Sequence, residues 1–296
     1  MKRLVVLLMG LLAGVVALAA AEKKVVFVAG PPSHGPGEHE HRAGCLLLKS
    51  CLDKVPGVTS VVYSNGWPQE PNAFDGADAI VLYMDGGPGH PALQDDRLQL
   101  LGTLMKKGVG LACLHYATEP TLEKGQKEFL DWIGGAFEVN WSVNPVWNAN
   151  FSRLPEHPIA RGVQPFSIRD EWYFHIRFPE GMKGVTPILT AIAPESTMSR
   201  PDGLHEGNPA VREAVKKGEP QHVAWAFERP DGGRGFGFTG GHYHHNWGDD
   251  NFRKTVLNAI LWIAKADVPK EGVQSSVTKE QLEENLDRKG QRKKAP

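Results

Sequence analysis

The chain has 296 residues, 41% of them hydrophobic and 23% charged, with a formal net charge of −1. That is the balance of a globular protein with length for one large domain or two modest ones, and it excludes a disordered or membrane-embedded chain. With no basic stripe in the folded part, nucleic acid is not an expected partner.

Lys2 and Arg3 precede the apolar run Leu4–Val16, and the small residues that follow offer cleavage sites, so residues 1–21 read as a secretory signal peptide. The run is short for a full span, so no stable membrane insertion is expected after cleavage, and the product should be exported, periplasmic or extracellular. Val25–Ala29 is a β-branched run suited to a buried parallel strand, and it ends in the histidine-rich loop Gly30–His41. A helix is expected from Arg42 to about Val55, strands over Thr59–Ser64 and Ala79–Met84, a helix over Leu93–Lys107, and a strand over Val109–His115. This alternation predicts right-handed βαβ crossovers and a parallel sheet. Another helix is expected over Phe129–Phe137. Residues 138–217, rich in proline and tryptophan, lack periodicity and read as an elaboration over the sheet containing short antiparallel strands. His222–Phe227 and Arg234–Thr239 read as an antiparallel pair about the turn Pro230–Gly233, and the last long helix covers Asp249–Ala264. In the polar tail, 269–296, Thr278-Lys-Glu-Gln281 could cap one short helix, and the remainder reads as solvated and mobile. Cys45 and Cys51 lie six apart on a helix, too far to bridge, and Cys113 sits in an apolar strand, so three free thiols are expected.

Ligands of open α/β sheets bind beyond the carboxyl ends of the strands. The first strand delivers Ser33, His34, His39 and His41 there, the third Asp85, the fourth His115, and the last His242 and His244. In an extended segment His242 and His244 would share a side, with Gly240 and Gly241 allowing unusual backbone angles and close ligand approach. Histidine is the commonest metal ligand, and imidazole with carboxylate suits zinc or manganese. The expected metal set is His39, His115 and His242, joined by Glu171 or His244. His115, Glu171 and His242 are the candidate catalytic groups. His34, Asp85, Trp172, Tyr173 and Trp247 are candidate substrate contacts, because aromatic rings stack on sugar faces while acids bind hydroxyls; Trp141 and Trp147 could add to them. Gly86–Gly89 lacks the spacing and the lysine of a phosphate loop, so no nucleotide cofactor is expected. Cys113 is an alternative nucleophile, but Leu114 stands where an elbow needs a small residue; a buried thiol is the reading, with His115 on the exposed turn.

Ser33–Glu40, Val109–Ala117, Asp170–Tyr173 and Thr239–His244, with the helix to Trp262, resemble the ThuA-like (trehalose utilisation) family over residues 23–268. The resemblance implies a flavodoxin-like, class I glutamine amidotransferase-like α/β fold: a mostly parallel sheet with helices on both faces. It also implies a role in sugar catabolism on 3-keto-glycosides made by partner oxidoreductases, with His115 at the turn where amidotransferases keep cysteine. The expected protein is a metal-assisted enzyme acting on a small-molecule sugar or keto-glycoside by isomerase, lyase or hydrolase chemistry. A non-catalytic carbohydrate-binding module and a cysteine hydrolase using Cys113 are the alternatives.

Overall fold

The computed structural model describes residues 22–290; the expected signal peptide and the last basic residues lie outside them. Strands β1 (Lys23–Ala29), β2 (Val58–Tyr63), β3 (Ala79–Tyr83) and β4 (Gly110–Leu114) are followed by a separate antiparallel ribbon of β5 (Trp147–Phe151) and β6 (Phe166–Asp170). After them come β7 (Val185–Ile192), β8 (Pro220–Glu228) and β9 (Arg234–Phe238), and the main sheet runs β2-β1-β3-β4-β9-β8-β7. From β2 through β9 the neighbours are parallel; β8 and β7 continue the sheet antiparallel.

The apolar runs are continuous because each strand is covered on both faces, and alternation divides its side chains between two cores. Val25, Phe27 and Ala29 face α1 (His41–Leu52) and α5 (Asp250–Ile263). Val26, Val28, Ile80 and Leu82 face α2 (Arg97–Lys106) and α3 (Gln126–Ile133). Gly134, with φ 72, stops α3 earlier than the expected end at Phe137. The elaborated region does more than lie over the sheet. Its β7 pairs with β8 and becomes the sheet's edge, and α4 (Pro209–Lys216) follows, capped by the Asn208 side chain.

In the tail the expected capping box forms, but the residues after it are docked where a solvated, mobile end was expected. Thr278 and Gln281 form a reciprocal capping box on α6 (Lys279–Glu283), and the residues after it dock on α1, with Arg42 donating to the Asn285 carbonyl at 2.9 Å. Cys45, Cys51 and Cys113 are free and buried. Among the described residues no helix is long and apolar enough to cross a membrane.

His90, buried after β3, accepts the Ala92 N–H at Nδ1 and donates Nε2–H to the Ala117 carbonyl, which fixes it as neutral. Burial holds its pKa down at about 4. The unfolded imidazole titrates near 6.5, so this contribution to stability is complete above pH 6.5 and is lost as pH falls towards 4. It amounts to about 3 kcal/mol at most. In chelator, the urea midpoint is expected to drop between pH 7 and pH 4.5, and His90→Gln should flatten the slope by about one proton, or about 1.4 kcal/mol per pH unit. An unchanged slope in that variant would remove His90 from the account.

Candidate metal centre

The loop after β1 carries His34 and His39, Asp85 follows β3, His115 follows β4, Glu171 follows β6, and His242 follows β9. These side chains meet beyond the carboxyl end of the sheet. Three of the histidines adopt positive φ: His34 at 59, His39 at 45 and His115 at 55. Outside glycine that conformation costs about 1 kcal/mol or more, and it turns the chain sharply enough to aim each ring across the sheet end. His115 occupies such a turn, but it is fully buried rather than exposed.

His39 Nε2 lies 3.0 Å from His115 Nε2 and 3.0 Å from His242 Nδ1. Glu171 Oε2 is 3.1 Å from His242 Nδ1 and 3.5 Å from His115 Nε2. All four atoms fall within 4.8 Å of one another. The other ring nitrogens assign the protons. His39 Nδ1 is 2.7 Å from the Asp85 carboxylate, and His115 Nδ1 is 2.8 Å from the Thr239 carbonyl. Both partners only accept, so both Nδ1 atoms donate, and each neutral ring turns a lone pair from Nε2 toward the other. Two lone pairs at that separation repel unless a cation joins them. A carboxylate or carbonyl fixing the far nitrogen of an imidazole is the usual second layer around a metal-ligating histidine.

The charge states of His39 and His115 agree; that of His242 does not, since a bound ion would have to displace its proton. Burial, then the neighbouring imidazoles, lowers the pKa of His39 and His115 far below the ordinary histidine range. Burial also opposes protonation of His242, but the hydrogen bond and charge of Glu171 outweigh it and leave that pKa raised. Burial, then the charge of Glu171, lifts the Tyr173 phenol well above its ordinary value, so it stays protonated, with its hydroxyl 3.2 Å from His115 Nε2.

Beside the cluster opens a cleft of about 420 Å³ lined by His34, Glu38, Tyr116, Glu171, Tyr173, His205 and His242, among others. A larger hollow of about 1000 Å³, near Asp95, Lys127 and Arg229, gathers mostly charged side chains and lies apart from the cluster. Asp85 acts on His39 instead of lining the cleft. His34 stacks on His39 at 3.6 Å and does line it.

Several expected site residues lie elsewhere. His244 is buried outside the four-residue cluster. The segment after Gly241 is not extended; residues 244–248 form a 3-10 turn, so two-residue spacing does not return to the same side. Gly241 has φ 105, but Gly240 serves packing rather than ligand approach, because a Cβ there would lie 2.5 Å from the Trp172 ring. Trp172 and Trp247 are fully buried among Phe238 and Phe252, and neither reaches the cleft. Trp147 is core, and Trp141 stacks on His175.

Two contributions escaped the sequence reading. Asp170, fully buried, accepts from the backbone N–H of Gly241, His242 and Glu171 and from Asn246 Nδ2 at 2.7–3.1 Å, and so shapes the turn that presents His242. Burial pushes its carboxyl pKa up, and those hydrogen bonds pull against it. His205, inside the aperiodic region, lines the cleft with Nε2 held 2.9 Å from Glu119 Oε1, and that hydrogen bond raises its pKa. The histidine itself was visible; its partner, 86 residues away, was not.

A family model described as ThuA, trehalose utilisation, matches residues 39–263. Among solved structures, the chain is similar to a ThuA-like protein from Bacteroides uniformis ATCC 8492, with a TM-score of 0.60 and 15% identity over 82% of this chain and 92% of that one. It is also similar to a ThuA-like protein from Parabacteroides merdae ATCC 43184, with a TM-score of 0.55 and 15% identity over 87% and 94%. These likenesses carry the fold. No curated protein matches the sequence.

Proposed function

From the premise that this chain belongs to the ThuA family of trehalose utilisation, we propose that it is an exported, metal-assisted enzyme acting on a keto-sugar or glycoside. The observation that supports this reading most is the facing pair of unprotonated Nε2 atoms on His39 and His115. The donor set also fits the ion. Zinc–ligand bonds of about 2.0–2.1 Å require donor–donor edges of about 3.3 Å in a tetrahedron. Four of the six donor–donor edges are 3.0, 3.0, 3.1 and 3.5 Å, and the other two, His39–Glu171 and His115–His242, lie within 4.8 Å. His39, His115, His242 and Glu171 would hold zinc or manganese, which supplies polarisation of a ketone or activation of water.

The remaining groups divide the work. Tyr173, kept neutral, donates a hydrogen bond to a ligand oxygen brought beside His115. His205, with Nε2 committed to Glu119, lines the cleft and is the group assigned to exchange a proton there. Cys113 takes no part, since it is buried and burial raises its thiol pKa.

The test uses the mature protein, analysed for bound metal and incubated with 3-keto-glucosides with and without chelator. About one zinc or manganese per chain and turnover abolished by chelator are expected. Absence of metal, or turnover stopped by thiol alkylation but not by chelator, would overturn the reading. Saturable sugar binding without turnover would instead make the protein a carbohydrate-binding module.

A further inference from the structure

Resting on that reading of the metal site, we infer that the C-terminal segment is a clasp that sets the site's metal affinity, with Lys289 as a positioning residue. The Lys289 side chain is 4% exposed and its partner Glu40 is 1% exposed. An ammonium offers three donors and tolerates burial only when they are used. Here the three acceptors come from three consecutive residues: the carbonyl of Glu38, the carbonyl of His39 at 3.2 Å, and the carboxylate of Glu40 at 3.2 Å. Glu40 in turn accepts the Gly37 N–H at 2.9 Å and the Asp287 N–H at 2.8 Å.

The loop gripped in this way carries His39 in its strained conformation, φ 45. It is also joined to the loop that carries His242. The His39 N–H donates to the His242 carbonyl and the His244 N–H to the Gly37 carbonyl, both at 2.9 Å. Two of the four donor-bearing segments are therefore held in register by backbone hydrogen bonds and fastened at His39 by one lysine, 250 residues further along the chain. Lys289 touches none of the four donor atoms; its charge does reach His39 and opposes a cation there, so loss of the charge alone would tighten metal binding, and a weakening must come from the placement of His39. Removing a group that orients a metal ligand costs about 10–100-fold in affinity.

Four variants test this against the full chain, all five titrated with zinc against a chromophoric chelator and melted without metal: chains ending at Gly290 and at Asn285, Lys289→Met, and Lys289→Met with Glu40→Gln. The chain ending at Gly290 should match the full chain, while the one ending at Asn285 and Lys289→Met should bind zinc about 10–100-fold more weakly. The double variant removes the stranded buried carboxylate, so its melting temperature should recover while its affinity stays low. If affinity recovers together with stability, a buried charge and not a clasp was at work, and the inference falls. Affinity equal to the full chain's in all four also overturns it and leaves the metal reading standing. A full chain that binds no zinc removes both.

Discussion

Replacing His115 is expected to abolish tight metal binding. In the proposed site its Nε2 is one of four candidate donors, and the Thr239 carbonyl and the turn at φ 55 aim it at the other three. Loss of a ligand exceeds the loss of a group that orients one, so zinc affinity should fall by more than about 100-fold. Two variants separate this effect from damage to the fold. His115→Ala leaves a side chain at positive φ, whereas His115→Gly relieves that strain, so the glycine variant should melt higher than the alanine variant. Both should lose zinc alike. Zinc affinity within a few-fold of the parent in His115→Gly would remove this residue from the donor set.

The second large effect is on stability. Asp170→Ala would leave buried N–H groups of Gly241, His242 and Glu171 without acceptors and would take one of two acceptors from Asn246 Nδ2, which keeps the Arg169 carbonyl. Each stranded donor costs about 1–3 kcal/mol, partly offset by relaxation and by water entering the space, so a total of about 3–5 kcal/mol is expected. Urea unfolding of the metal-free protein measures it. Zinc affinity should fall as well, because the same carboxylate holds the His242 backbone. A stability change below about 1 kcal/mol would mean that the turn is formed by other contacts.

The difference between these residues shows what the chain made legible. His115 could be placed from sequence because a doubly covered strand is an uninterrupted apolar run, and a polar residue at its end lies where ligands bind. The same logic located His39, Asp85 and His242. It failed at His244, because alternation assumes extension and Gly241 breaks it. Trp172 and Trp247 were misplaced for another reason: an aromatic ring is equally at home in a core or on a sugar, and composition does not reveal which neighbours it has. Edge strand β7 carries Pro187 and a register shift near Leu189, which blur its pattern. Lys289 read as part of a solvated basic tail because its three acceptors lie in a loop at the other end of the chain.

Parallel strand β9 is inserted between β4 and β8, and the loop it leads into brings the His242 donor to His39, 203 residues away. A nascent polypeptide thus exposes its first imidazoles long before the pocket can close. Products of premature termination upstream of that loop lack an essential donor, whatever share of the sheet they manage to build. If the proposed metal site is real, ion uptake would require synthesis to have passed His242, beyond the final sheet strand.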